Sequence, residues 1–584
     1  MKDSRIGVYI CWCGTNIAKM VDVEKIAEDI GKLENVVVSR NYKYMCSDPG
    51  QELIVKDIKE HDLDRIVVAA CSPRIHELTF RKALENAGLN QYLFEMANIR
   101  EHVSWVHTDR DIATQKASDL VRAALQRVSY HEPLDKLSVN IKPATLVVGG
   151  GVAGLSAALR IAEAGNQVYL VEKEAVLGGK AAELDLSFPY LNSVGSFLLP
   201  LIEKVQEHDK IKVLTGQTIS EITGYVGNFS TDLGLNGKSE VLEFGHIIIA
   251  TGLATYDPTP IKNYGYGRLK DVVTSSEFEM MLRSGKIQCS DGSTPEHIAI
   301  IHCVGSRNED YHEYCSRTCC GTALKFANQL RSALPFAGIY DLYADMRAFS
   351  KGCEELYTKT SAKNILFLMF DPQKDLPQIS EAKTKDGCNM LISMREMLSG
   401  DQIEVPADMV ILMTAVEGRE GAKELSHIAG ISMCGNDFYI EKHPKLDPVA
   451  TTTDGVYIVG TCQGPKDIPE SITQAWAAAA RVLAGISRGS VSVEVTTAEV
   501  NEEICCGCQT CISVCPYTAI TFDEEKNVSQ VNEVLCKGCG TCGSACPTGA
   551  IRSRHFTDQQ ILSQIEGMLN EGKIKETTKI LEEA

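Results

Sequence analysis

The sequence predicts a multidomain α/β protein, and three observations carry that prediction. At 584 residues the chain is longer than one hydrophobic core sustains. From Thr145, TLVVGGGVAGLSAALRIAEAGNQVYLVEK reads as strand, glycine turn, helix, strand and terminal acid, the βαβ pattern of a parallel sheet. Near the C-terminus eight cysteines fall into two consecutive C-x2-C-x2-C-x3-C-P runs, which mark a small separate fold. The expected boundaries are an N-terminal α/β domain at 1–130, a dinucleotide-binding domain at 131–490, a cysteine-rich module at 491–556 and a helical tail at 557–584.

Composition narrows the function classes. The formal net charge is -19 and no lysine or arginine cluster offsets it, so nucleic acid and anionic membranes are poor partners. No run of eighteen apolar residues exists, and Ile6 to Ile10 is too short for a signal-peptide core. A soluble, cytoplasmic protein without a transmembrane segment is expected. In that compartment, 22 cysteines with motif spacing indicate metal or redox sites rather than disulfides.

In each C-terminal run, three close cysteines wrap one [4Fe-4S] cluster and the fourth, turned away by its proline, reaches the other. Cys505, Cys508, Cys511 and Cys546 are thereby assigned to one cluster, and Cys536, Cys539, Cys542 and Cys515 to its neighbour. Paired CxxC motifs also make zinc ribbons, but two full runs with their prolines favour a bacterial-type two-cluster ferredoxin. Such a module passes single electrons.

In the βαβ segment Gly149, Gly151 and Gly154 make the turn, Val152 and Ala153 open the helix, and Glu172-Lys173 close the second strand. The turn brings backbone N–H groups and a helix N-terminus to a pyrophosphate, and the acid reaches ribose hydroxyls. FAD is favoured over NAD by Leu177-Gly178-Gly179-Lys180 and by the strand Ile247 to Ala250-Thr251-Gly252. Both elements are similar to the thioredoxin reductase class of two-dinucleotide-binding-domain flavoproteins. A third, Thr453 to Gly460-Thr461, resembles the late flavin motif of that class, with Thr461 where the class has an aspartate. Lys466, shortly after it, is a candidate flavin neighbour; a salt-bridged loop lysine is the alternative.

The second half of this domain departs from the class. Where a GxGxx(G/A) loop would hold NADPH, the strand His297 to His302 runs into Cys303-Val304-Gly305-Ser306-Arg307. Cys315, Cys319 and Cys320 follow on a segment expected to continue as a helix through Leu330. Residues i and i+4 share a helix face, and a helix N-terminus favours thiolates, so Cys303, Cys315, Cys319 and Cys320 can share a central [4Fe-4S] cluster. Zinc or unligated thiols are the alternatives. With no CxxC in this domain, a flavin here is expected to exchange electrons with clusters, not hydride with NADPH.

In the first 130 residues, strands Ile6 to Ile10, Val36 to Ser39 and Arg65 to Ala70 lead to Cys11 and Cys13, to Cys46 and to Cys71. Ligands of open α/β sheets collect outside the carboxyl ends of strands, which makes these four candidates for an N-terminal [4Fe-4S] cluster. Buried or redox-sensing thiols are the alternative. Segments 129–142 and 487–502 read as connectors, and in the tail Ile561, Leu562, Ile565, Met568 and Leu569 gather on one helical face.

The opening CWCGTNIAKMVDV, then KYMCSDPGQELI, VVAACSPRIHELTF, CVGSRN…YCSRTCC, GTCQGPKDIPESITQA and the ferredoxin runs together resemble the A-type iron-sulfur flavoprotein of heterodisulfide reductase over nearly the whole chain. The resemblance implies an oxidoreductase component carrying FAD and clusters, the site of flavin-based electron bifurcation inside a cytoplasmic complex. It also implies that Cys303, Cys315, Cys319 and Cys320 ligate the cluster closest to the flavin. The implied partners are a hydrogenase or dehydrogenase donor, subunits reducing a disulfide of the CoM-S-S-CoB type, ferredoxin, and a second copy of the chain in a homodimer. Related proteins work as relays in quinone-linked and benzoyl-CoA reductase complexes. Several methanogen members insert a further ferredoxin module in the flavin domain, whereas Gly224 to His297 holds only Cys289 here.

Overall fold

The computed structural model describes residues 4–235, 238–384 and 387–569, so the predicted tail beyond Leu569 lies outside the described residues. The chain divides into two compact units, residues 1–137 with 492–584, and residues 138–491. No helix among the described residues is long and apolar enough to cross a membrane.

The N-terminal segment is a parallel sheet in the order β2 (Val36–Tyr42), β1 (Ile6–Cys11), β3 (Arg65–Ala70), β4 (Phe94–Asn98). All six residues of β1 are buried, as a strand covered on both faces requires. Alternation sends Ile6, Val8 and Ile10 to helices α1 (Val23–Ile30) and α4 (Arg110–Val128), and Tyr9 and Cys11 to α2 (Asp48–Glu60) and α3 (Pro73–Ala87). Proline in the first turn of α2 and α3 starts each helix just past a cysteine-bearing loop, where its missing N–H costs nothing.

The second unit holds two five-stranded parallel sheets. The first runs 211–215, 167–172, 144–148, 246–249, 456–458, with α5 (Val152–Glu163), α6 (Gly195–Glu207) and later α11 packing on it. The second runs 272–274, 409–414, 297–304, 338–343, 366–369, with α7 (Ser275–Ser284) and α8 (Cys319–Ala333) against it. Shorter helices α9 (Cys353–Ser361) and α10 (Ala422–Ala429) follow, then the long α11 (Ile468–Arg488), entered through a capping box of Asp467 and Glu470.

The C-terminal segment returns to the first unit. Two antiparallel pairs, 498–500 with 551–553 and 520–523 with 528–531, frame the one-turn helices α12 (Thr510–Ser513) and α13 (Thr541–Ala545). The module is tied to the N-terminal segment by Arg127 Nη2 donating to the His555 carbonyl at 2.9 Å and Gln560 Nε2 donating to the Tyr130 carbonyl at 3.0 Å. Helix α14 (Asp558–Leu569) buries Gln560, Ser563 and Gly567, while Ile561, Leu562, Ile565 and Leu569 stay exposed. The apolar face read from periodicity is therefore not the packing face. A Cβ on Gly567 would stand 2.7 Å from the Arg122 carbonyl oxygen of α4, so small and polar residues make the close approach instead.

Candidate functional site

The glycine turn of the second unit is shaped by close backbone contacts. Gly149 has φ +111°, and a Cβ there would lie 2.3 Å from the Ala250 carbonyl oxygen; on Gly154 it would lie 1.8 Å from the Gly149 oxygen. Only glycine lets turn, helix and neighbouring strand approach so closely. A Cβ on Gly151 or Gly252 would meet nothing within 4 Å, so both border open space, Gly151 at the N-terminus of α5.

That space belongs to an open cavity lined by Gly151, Val152, Ala153, Glu172, Gly179, Lys180, Ala250, Thr251, Gly252, Thr461 and Lys466. Gly149, Glu172, Lys173 and Thr251 border a second, smaller cavity, and Arg419 lines both. Glu172 Oε2 accepts the Gly150 N–H at 2.6 Å and Oε1 the Glu174 N–H at 2.9 Å, which fixes the turn. Gly154 and Gly460 line neither cavity; the Gly460 N–H donates to Gln474 Oε1 at 2.7 Å. Two adjoining, mostly apolar cavities at a βα turn fit a dinucleotide, with its pyrophosphate at the α5 N-terminus.

Two cavity residues escaped sequence reasoning. Lys325 is 1 % exposed, with Nζ 2.5 Å from Glu279 Oε2 and 3.2 Å from the Leu186 carbonyl oxygen, and both charged residues line the larger cavity. Burial pulls the Lys325 pKa down and Glu279 works against that. Lys466 is also drawn down by burial, and its Nζ reaches the Gly464 carbonyl at 3.4 Å. The available signal for Lys325 was a lysine inside the apolar run ALKFA of a helix.

The central thiols gather in a way that differs from the expectation. Cys319 and Cys320 are the first two residues of α8, but Cys315 lies in the loop before it. Arg317 takes φ +57° and interrupts the helix, so an i,i+4 pair does not form; Cys315 is instead held by the Arg317 N–H, 3.3 Å from its sulfur. Cys303, itself at φ +57°, comes from the end of strand 297–304 where the sheet register slips. Burial pushes Cys319 well above the ordinary thiol range, and the charges of Cys303, Cys320 and Cys315 add to it. Burial works to raise Cys320, but His302 together with the Arg347 N–H draws it below the ordinary thiol range. His302, fully buried, has Nε2 3.0 Å from Asp341 Oδ1. Past its cysteines, α8 presents Thr322, Lys325 and Phe326 to the larger cavity, so one helix begins at the thiols and lines the cavity.

In the N-terminal segment Cys11 ends β1, Cys71 follows β3, and Cys13 and Cys46 pack on the same cluster of buried side chains. Burial pushes Cys71 up to about 12. The Cys13 N–H donates to Cys11 Sγ at 3.3 Å. In the C-terminal module, Cys515 lines one small cavity with Cys536, Cys539 and Cys542. Cys546 lines another with Cys505, Cys508 and Cys511, joined by Cys506, which the spacing had left out. The fourth cysteine of each run thus crosses to the other run.

Backbone N–H groups of Ala498 and Gly538 donate to Cys536 Sγ, and that of Ala519 to Cys515 Sγ, each at 3.4 Å, the contacts that a charged thiolate needs.

A family model described as pyridine nucleotide-disulphide oxidoreductase matches residues 143–301, and one described as 4Fe-4S dicluster domain matches 504–550. The chain is 41% identical to the second iron-sulfur A subunit of the CoB--CoM heterodisulfide reductase of Methanopyrus kandleri, over 97% of this chain and 99% of that protein. It is 40% identical to the A subunit of the H(2):CoB-CoM heterodisulfide,ferredoxin reductase of Methanothermobacter marburgensis, over 98% of each. These alignments run over 653 and 657 positions, so the relatives hold segments that this 584-residue chain lacks. Among solved structures, thioredoxin reductase of T. acidophilum is 16% identical with a TM-score of 0.40, covering 59% of this chain and 100% of that one.

Proposed function

The chain belongs to the heterodisulfide reductase A-type family of iron-sulfur flavoprotein oxidoreductases, and on that premise we propose that it divides electron pairs between two one-electron routes. The observation that carries this reading is α8, which starts at two thiols of the central quartet and lines the dinucleotide cavity with Lys325. The strand end that would serve a nicotinamide nucleotide bears Cys303 instead. FAD, when bound, supplies the conversion between two-electron and one-electron chemistry.

This chain's own residues do the rest. The turn from Gly149 to Gly154 and the α5 N-terminus hold the pyrophosphate, and Glu172 braces the turn. Lys466 brings an ammonium group to the cavity, where it favours the negative charge gained on reduction, while Lys325 is balanced there by Glu279. Cys303, Cys315, Cys319 and Cys320 would hold the cluster nearest the cavity, the two crossed quartets would hold the ferredoxin pair, and Cys11, Cys13, Cys46 and Cys71 would hold a fourth. Electrons enter from a hydrogenase or dehydrogenase module; one leaves toward a disulfide-reducing partner and the other toward ferredoxin. For a two-electron couple about 30 mV is roughly 1.4 kcal/mol. Cluster potentials span roughly -700 to +450 mV, so a downhill branch can offset an uphill one.

Spectroelectrochemical titration of the flavin in the anaerobically purified chain tests the proposal. Splitting requires crossed one-electron potentials, the second electron being taken up more readily than the first. A normal order, with the first electron taken up at clearly higher potential, would contradict it and leave a relay flavoprotein.

A further inference from the structure

Arg100 stands at the N-terminal cysteines in a way their ligand pattern does not require. It opens the π-helical turn Arg100–Ser104, whose start is pinned by Asn98 Oδ1 accepting the Arg100 and Glu101 N–H groups at 3.3 and 3.1 Å. Such turns concentrate at functional sites because they cost regular helix bonding. Nη1 donates to Cys13 Sγ at 3.3 Å, while Nε and Nη2 donate to Glu101 Oε1 at 3.2 and 2.7 Å. The guanidinium carbon lies 4.8 Å from the centroid of the Trp105 ring, which is itself 59% exposed. Held by a sulfur, a carboxylate and an aromatic face, the Arg100 side chain is 15% exposed.

Resting on the N-terminal ligand set proposed above, we infer that Arg100 is a positioning residue that orients Cys13 and raises the reduction potential of an N-terminal [4Fe-4S] cluster. Four thiolates concentrate negative charge, and uptake of one electron adds one more. A fixed cation hydrogen-bonded to a ligand sulfur stabilises the reduced state more than the oxidised one. A plain ion pair with Glu101 would need neither the Cys13 contact nor the Trp105 face.

The test is a potentiometric titration of the full chain, purified anaerobically and followed by EPR, with a poised electrode and mediators supplying the single electron. Cys71→Ala identifies the N-terminal signal as the component that disappears together with about four irons. In Arg100→Gln that component is expected to persist at a lower potential, with at least a tenfold smaller reduced-to-oxidised ratio at fixed ambient potential, or about 59 mV for a one-electron couple. Arg100→Lys, which keeps the charge without the fork, is expected to fall between Gln and wild type. Unchanged potentials in both variants overturn the role of Arg100 alone. Should Arg100→Gln lose the cluster, Arg100→Lys decides: a lowered potential supports the inference, whereas a wild-type potential or loss of the cluster overturns it. Absence of any Cys71-dependent signal in the wild-type chain overturns the ligand set, and with it the inference.

Discussion

Lys325 sits where lysine is rarely found, in a helix segment whose residues from Ala323 to Asn328 are all buried. Glu279 accounts for its tolerance there, and losing one partner of such a pair strands the other at a cost on the order of 3–5 kcal/mol. Lys325→Met should lower both the temperature of flavin release, followed by fluorescence, and the flavin potential. Pairing it with Glu279→Leu should recover most of both losses, because the stranded charge is relieved. His246 gives a pH signature at the same scale. It is 2% exposed, and burial, with Arg488 nearby, holds its pKa down to about 4 from 6.5. The unfolded chain therefore takes up that proton first. The stability contributed by neutral His246 is complete above pH 6.5 and is lost as pH falls toward 4, by up to roughly 3 kcal/mol. Because His246 begins the strand leading to Ala250, the flavin-release temperature should fall with pH over that window. His246→Phe should flatten the fall; an unchanged slope would assign it to another group.

At the scale of elements, α8 and α14 show what a sequence discloses and what it withholds. The βαβ turn was legible because its glycines, helix start and terminal acid are set by local geometry at fixed spacing. The crossed grouping of the C-terminal cysteines was legible for the same reason, through the proline after each fourth cysteine. In α8 the positions of Cys319 and Cys320 at a helix start were anticipated, but Cys315 was not, because the left-handed Arg317 that breaks the helix carries no residue-type signal. Lys325 and Glu279 meet only in the folded chain, 46 residues apart. Periodicity in α14 showed an apolar stripe without showing what covers it, and the close approach at Gly567 decided the other face. Gly567→Leu should therefore push α14 from α4, costing about 1–3 kcal/mol, whereas Leu569→Ser on the exposed face should stay within about 0.5 kcal/mol. Hydrogen exchange at α4 amides would read the difference, and equal effects of the two changes would contradict this packing.

For the whole molecule, the sixteen proposed ligand cysteines fall in four groups, one in the dinucleotide-binding unit and three in the other. Each group lies where a βα turn, a strand end or a one-turn helix brings backbone N–H groups and thiols together. The charge of -19 fits a chain that meets other redox proteins rather than nucleic acid. The proposed distribution of electrons depends on all four groups being loaded in a chain that also holds one flavin. Iron, acid-labile sulfide and flavin per chain after strictly anaerobic purification are the most direct test. The account predicts about sixteen irons with about one FAD, at four irons per cluster. About eight irons would confine clusters to the ferredoxin module and contradict both the central and the N-terminal assignments.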